Sequence, residues 1–104
     1  MIILVKCPVE GIDGVCKSLS DKGTIISKDN IEGIIKEDKE LYKRTLVVPG
    51  YLVKAGVPTC NTKVSLCINY LVMQSRLREL EIIFVAPSLE YLDKRVRTYY
   101  NLVV

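Results

Sequence analysis

Glu81-Ile82-Ile83-Phe84-Val85-Ala86-Pro87 is the stretch that decides how this chain folds. Five apolar residues follow a single glutamate and stop at a proline, so both faces of the run ask to be buried and the ladder ends where a backbone N–H is missing. A strand with one wet face alternates apolar and polar residues, and this one does not. Three other runs carry the same signature. Ile2 to Lys6 ends at Cys7-Pro8, Thr24-Ile25-Ile26-Ser27 ends at Lys28-Asp29-Asn30, and Thr45-Leu46-Val47-Val48 ends at Pro49-Gly50. Asn101-Leu102-Val103-Val104 makes a fifth.

The segments between these strands read as turns and helices. Gly11-Ile12-Asp13-Gly14 is turn chemistry, and Val15 to Leu19 predicts a short helix closed by Gly23. Residues 31 to 44 predict a loop and a short surface helix, with Lys36-Glu37-Asp38-Lys39-Glu40 as a solvated face. Gly56 and Pro58 leave 49 to 61 as a loop, with one helical turn at Tyr51 to Ala55. From Thr62 to Glu79 neither glycine nor proline occurs. Apolar residues at 64, 67, 68, 71 and 72, with 66, 70, 73 and 77 beside them, predict a helix over 62 to 78 whose first half is deeply packed. Arg76, Arg78 and Glu79 put charge on its last turn. Ser88 is placed to cap a helix over 89 to 97. Strands that alternate with helices and are apolar on both faces predict an α/β fold: a single three-layer domain over 1 to 104 with a mainly parallel five-stranded sheet.

Composition agrees with one folded domain. The chain has 104 residues, 49% of them hydrophobic and 26% charged, too apolar for disorder and too evenly charged for a membrane span. The opening Met-Ile-Ile-Leu-Val-Lys run is too short for a signal peptide, so an intracellular, cytoplasmic protein with no membrane contact is expected. Cys7, Cys16, Cys60 and Cys67 form no Cys-x-x-Cys pair and no histidine is present, so no metal site is expected and the cysteines read as small buried hydrophobes. A Cys7 to Cys60 disulfide is disfavoured by an intracellular setting outside hyperthermophiles, and the single glutamine, Gln74, fits a heat-adapted source. The net charge of +3 divides into +1 over residues 1 to 60 (nine basic, eight acidic) and +2 over 61 to 104 (six basic, four acidic). Such a balance argues neither for nor against nucleic acid.

Tyr70-Leu-Val-Met-Gln-Ser-Arg76-Leu-Arg78 leads through the 81 to 86 strand to Pro87-Ser-Leu-Glu-Tyr-Leu-Asp93-Lys94-Arg95-Val-Arg97. This stretch resembles the sensor half of the FtsK/HerA-like P-loop ATPases, above all the genome-packaging ATPases of archaeal viruses and the zonula occludens toxin-like proteins. In that family a helix ends in a basic pair, an apolar strand closes on a polar sensor residue, and a turn leads into an Asp-Lys-Arg-x-Arg segment. The resemblance implies a P-loop NTPase-like fold with a phosphate loop after the first strand and an acidic pair after the third. The chemistry departs from it at three positions. Cys7-Pro8-Val9-Glu10-Gly11-Ile12-Asp13-Gly14 stands for the phosphate loop, with Cys7 at the first glycine and Asp13 near the lysine. Pro49-Gly50 replaces the acidic pair, and Pro87 the sensor. Lys17-Ser18 imitates the end of the phosphate motif but lies two residues too far past Gly14. Gly11, Gly14, Lys17 and Ser18 are therefore a vestigial phosphate loop, with no catalytic residue and no cofactor expected.

The resemblance then implies a non-hydrolysing P-loop ATPase-like domain acting as an interaction or assembly module, associated with viral DNA packaging or translocation and with a homo-oligomer or protein partner. Two other readings stay open. One is a nucleotide-dependent DNA translocase subunit, using ATP and magnesium with groups supplied by a partner chain. The other is a small nucleic-acid-binding protein using Arg76, Arg78, Arg95 and Arg97, with Tyr91, Tyr99 and Tyr100 as stacking platforms. Against both, the arginines read equally well as a solvated basic patch and the tyrosines as packing residues.

Overall fold

A computed structural model of the chain describes residues 2–36, 43–54, 63–92 and 102–103. In chain order these form β1 (Ile2–Lys6), α1 (Ile12–Ser18), β2 (Thr24–Ile25), α2 (Ile31–Lys36), β3 (Thr45–Pro49), α3 (Lys63–Gln74), β4 (Glu81–Ala86) and β5 (Leu102–Val103). Short 3-10 turns at Val9–Gly11, Gly50–Val53 and Leu89–Tyr91 join them.

Every ladder is parallel, in the order β2-β3-β4-β1-β5. β4 lies at the centre, with Ile82 to Ala86 alongside Ile2 to Lys6 and Glu81 to Val85 alongside Thr45 to Pro49. Five strands enter the sheet, but the two outer ones, β2 and β5, pair over only two residues each. The predicted strand over 101 to 104 is reduced to Leu102–Val103, which lie beside Ile3 and Leu4 on the outer edge of β1 and add only two residues of pairing.

Side chains alternate across this sheet with the strand period of two. Ile2, Leu4, Leu46, Val48, Ile82, Phe84 and Ala86 join one core with residues of α2 and α3. Val47, Ile83 and Val85 join a second core with Ile12 and Cys16 of α1. Helices on both faces explain why each strand is apolar throughout. Among the described residues, the two cores place α2 and α3 on one side of the sheet and α1 on the other.

Several boundaries move, each for a local reason. α1 starts at Ile12, not Val15, because the Gly11 N–H donates to the Pro8 carbonyl at 2.9 Å and this turn runs directly into the helix. The expected turn at 11 to 14 is therefore largely helical. Gly23 does not close the helix with left-handed backbone; it is needed because a Cβ there would run into the Thr45 carbonyl. β2 stops at Ile25, two residues early. Asn30 Nδ2 donates to the Ile25 carbonyl at 2.7 Å, and Asn30 Oδ1 accepts the Ser27 N–H at 2.8 Å, which turns the chain out of the sheet.

α3 ends at Gln74 instead of 78, but the coil continues into a cap. The Arg78 N–H donates to the Gln74 carbonyl at 3.0 Å and the Leu80 N–H to the Ser75 carbonyl at 2.8 Å. Glu79 stands at φ 52 between them, which is a Schellman cap with a glutamate at the position glycine prefers. The expected deep packing of α3 is corrected. Ile68, Leu71 and Val72 are buried, whereas Leu66, Tyr70 and Met73 are exposed, because only one side of the helix meets the sheet and α2. Of the predicted helix over 89 to 97, Leu89–Tyr91 is a 3-10 turn, Leu92 bridges Lys54, and 93 to 97 lie outside the described residues. No described helix is long and apolar enough to cross a membrane.

Candidate functional site

In a parallel sheet all strands deliver their C-terminal ends to one edge, and ligands of α/β folds bind there. At this edge the β1–α1 turn meets the ends of β3 and β4. The Cys7 N–H donates to the Ala86 carbonyl at 3.1 Å and ties the end of β1 to the end of β4. The segment Val9–Gly11 then forms a 3-10 turn with Gly11, at φ −96 and ψ −2, as the N-cap of α1. None of the described non-glycine residues from 7 to 18 has a positive φ, and Gly11 and Gly14 lie outside the left-handed region as well. A phosphate-cradling nest alternates right- and left-handed residues so that successive N–H groups converge. This turn does not have that form.

Gly14 lies inside α1, Lys17 lies in its last turn, and the Ser18 hydroxyl donates back to the Val15 carbonyl at 2.7 Å. Of these four residues only Lys17 reaches the open cleft beside α1, which has a volume of about 420 Å³. That cleft is lined on the α1 side by Asp13, Cys16 and Lys17, and across from them by Lys28, Asp29 and Tyr51. Two ammonium groups face two carboxylates, so the cleft carries no net charge to draw in a polyanion.

The end of β3 is closed by close packing. A Cβ on Gly50 would stand 2.6 Å from the Val85 carbonyl oxygen and 2.9 Å from the Ala86 Cβ, so no side chain fits there without movement of β4. Pro49, the other residue at the acidic-pair position, is buried in register with Val85. Next in sequence, Tyr51 reaches back across the edge, and its hydroxyl donates to Asp13 Oδ1 at 2.9 Å. Asp13 is the residue expected from the sequence to stand near the position of a phosphate-binding lysine. Here its carboxylate fastens α1 to the turn after β3. Burial pushes the Tyr51 phenol up to about 12, and the bond to Asp13 and the Asp13 charge add to the rise. The Cys16 thiol behind it is pushed up to about 11, by burial first and then by Asp13 and Cys7.

These residues do not fit ATP and magnesium: the β1–α1 turn has no lysine, the end of β3 has no carboxylate and no room for one, and Asp13 is already engaged. Among the described residues no three His, Cys, Asp or Glu side chains are grouped to hold a metal ion. Cys7, Cys16 and Cys67 form no disulfide, and Cys60, with the Cys7 pairing considered for it, lies outside the described residues.

The predicted basic surface is not part of this edge. Arg76 is exposed and Arg78 half-buried, with Arg78 Nε donating to Gln74 Oε1 at 3.3 Å. The Arg78 carbonyl accepts the Lys43 N–H at 2.9 Å just ahead of β3, so this pair belongs to the N-terminal edge of the sheet, at the opposite end of the strands from Lys17. Arg95 and Arg97 lie outside the described residues. Sequence reasoning missed the Tyr51–Asp13 contact. The two residues are 38 apart, and only the parallel crossover brings their loops together. No protein-family model matches the chain, and no curated protein matches it.

Proposed function

We propose that this chain is a P-loop ATPase-like domain stripped of its chemistry, which binds no triphosphate and acts as an interaction or assembly module. The observation that carries the reading is the strand order. The fourth strand lies between the first and the third, so the turn after the first strand and the end of the third, where the resemblance puts the phosphate loop and the acidic pair, flank one strand at one edge of the sheet. The common dinucleotide- and flavin-binding orders place the first strand differently. The eroded motif residues of 70 to 97 supply the second support, and the closed edge at Gly50 supplies the third. Association with DNA packaging or translocation rests on the resemblance alone, as does a nucleic-acid role for Arg76 and Arg78.

Thermal unfolding with ATP and magnesium tests it, because a ligand raises the melting temperature in proportion to its occupancy of the native state. No shift is expected at millimolar nucleotide. A magnesium-dependent upshift overturns the stripped reading in favour of a nucleotide-dependent subunit. Duplex binding that weakens with salt and is lost in Arg76→Ala moves the assignment to a nucleic-acid-binding protein.

A further inference from the structure

Leu66, Tyr70, Met73 and Leu77 follow one another at spacings of four, three and four, which is the seam of a coiled coil. On a helix these positions form one continuous line. All four are exposed, at 53%, 37%, 61% and 77%. The hydrogen bond from the Arg78 N–H to the Gln74 carbonyl keeps the turn carrying Leu77 coiled, so the line runs past the end of α3. The opposite side of the same helix, Ile68, Leu71 and Val72, is buried in the core. α3 is thus apolar on two sides and covered on one.

We infer that this stripe is a homodimer interface in which α3 packs antiparallel against α3 of a second copy across a twofold axis. The occupant follows from the order of the residues. A twofold axis between positions 71 and 72 brings Leu66 opposite Leu77 of the other copy and Tyr70 opposite Met73, so one line of four side chains is complementary to itself. Taking roughly 200 Å² for a fully exposed side chain of this size, the four exposures leave about 450 Å² of contiguous surface on each copy. Pairing therefore buries about 900 Å² from the stripes alone, which matches the apolar share of a standard interface of about 1,600 Å² with a polar rim around it. Arg76, exposed beside the line, falls in that rim. The inference stands apart from the ATPase-like reading, because the stripe pairs whatever the sheet order descends from.

Sedimentation equilibrium of the full chain tests it. A monomer–dimer equilibrium is expected at micromolar concentration, with Leu77→Glu weakening it at least tenfold. The thermal melt, extrapolated to low concentration, should not change, because Leu77 is 77% exposed. Tyr70→Lys and Met73→Asp should each weaken self-association, and an equimolar mixture of the two should dimerise more tightly than either alone, because the antiparallel register sets position 70 against position 73. A wild-type monomer at every concentration up to about 0.5 mM overturns the inference, as a micromolar dimer is almost fully associated there. A dimer unaffected by Leu77→Glu overturns it by placing the contact elsewhere, and a mixture no tighter than its parts overturns the antiparallel register. None of these outcomes depends on nucleotide, so failure here and failure of the ATPase-like reading are told apart.

Discussion

Gly50 and Gly14 separate two meanings of glycine at one sheet edge. Around Gly50 the Val85 carbonyl and the Ala86 side chain occupy the space a Cβ would need, so Gly50→Ala forces β3 and β4 apart and is expected to cost about 1–3 kcal/mol. Around Gly14 nothing lies within 4 Å of a Cβ, and the residue sits in α1. Gly14→Ala should therefore stabilise the chain by about 0.4–1 kcal/mol, since alanine loses less backbone freedom on folding into a helix. Urea unfolding of the two variants checks both signs, with unchanged m-values showing that stability alone has moved. A working phosphate loop would give the opposite result, with Gly14 the sensitive position. The departure from an ATPase pattern is legible at this scale, because Asp13 and Pro49-Gly50 stand where the proposed resemblance asks for a lysine and an acidic pair. What they do instead was not legible: the Asp13 hydrogen bond to Tyr51 and the closed packing at Gly50 exist only once β1, β3 and β4 lie side by side.

α3 shows what an apolar pattern tells and withholds. Its apolar residues run all round the helix, so the sequence said helix but could not say which line the sheet would take. The sheet and α2 take Ile68, Leu71 and Val72. Leu71→Ala should cost about 2–5 kcal/mol as a core truncation, while Met73→Ala, on the exposed line, should leave the unfolding free energy of the dissociated chain within about 0.5 kcal/mol. The cap offers a test of the opposite sign. Glu79 holds φ 52, a left-handed conformation that disfavours every residue with a Cβ, and its ion pair to Lys43, 3.7 Å long with both side chains more than half exposed, contributes little. Glu79→Gly is expected to stabilise the chain by about 1 kcal/mol, measurable as a higher denaturation midpoint. β1, β3 and β4 are legible in the sequence because their side chains enter both cores and each ends at or next to a proline-containing turn. β2 was overrun by two residues because the Asn30 clamp that ends it acts from five positions downstream.

At the C-terminal edge of the sheet the Tyr51–Asp13 hydrogen bond joins α1 to the turn after β3, and two ionisable groups near that contact have raised pKa values. Cys16 is pushed from its ordinary 9.0 to about 11, and Tyr51 from 10.0 to about 12, burial being the first cause in both. A group whose pKa is higher in the folded chain than in the unfolded one contributes stability below the unfolded value and loses it as the pH rises through the folded one. The contribution of Cys16 is therefore whole below pH 9 and lost towards about 11, and that of Tyr51 is whole below 10 and lost towards about 12. Stability should begin to fall within this window, and Cys16, in the core that α1 makes with the sheet, should become reactive as it does. Tyr51→Phe tests the assignment by converging on the wild-type curve as the pH rises. Near pH 7 the variant lacks the hydrogen bond to Asp13 and is expected to be about 0.5–1.5 kcal/mol less stable. Between pH 10 and 12 it has no phenol to ionise, so its stability should fall less steeply and the two curves converge. Chemical denaturation across pH 7 to 12 measures both limbs, with the Cys16 thiol followed in parallel by its reaction with an alkylating reagent. Parallel curves, or a Cys16 that reacts at pH 8 as fast as a free thiol, would mean that α1 does not seal this edge.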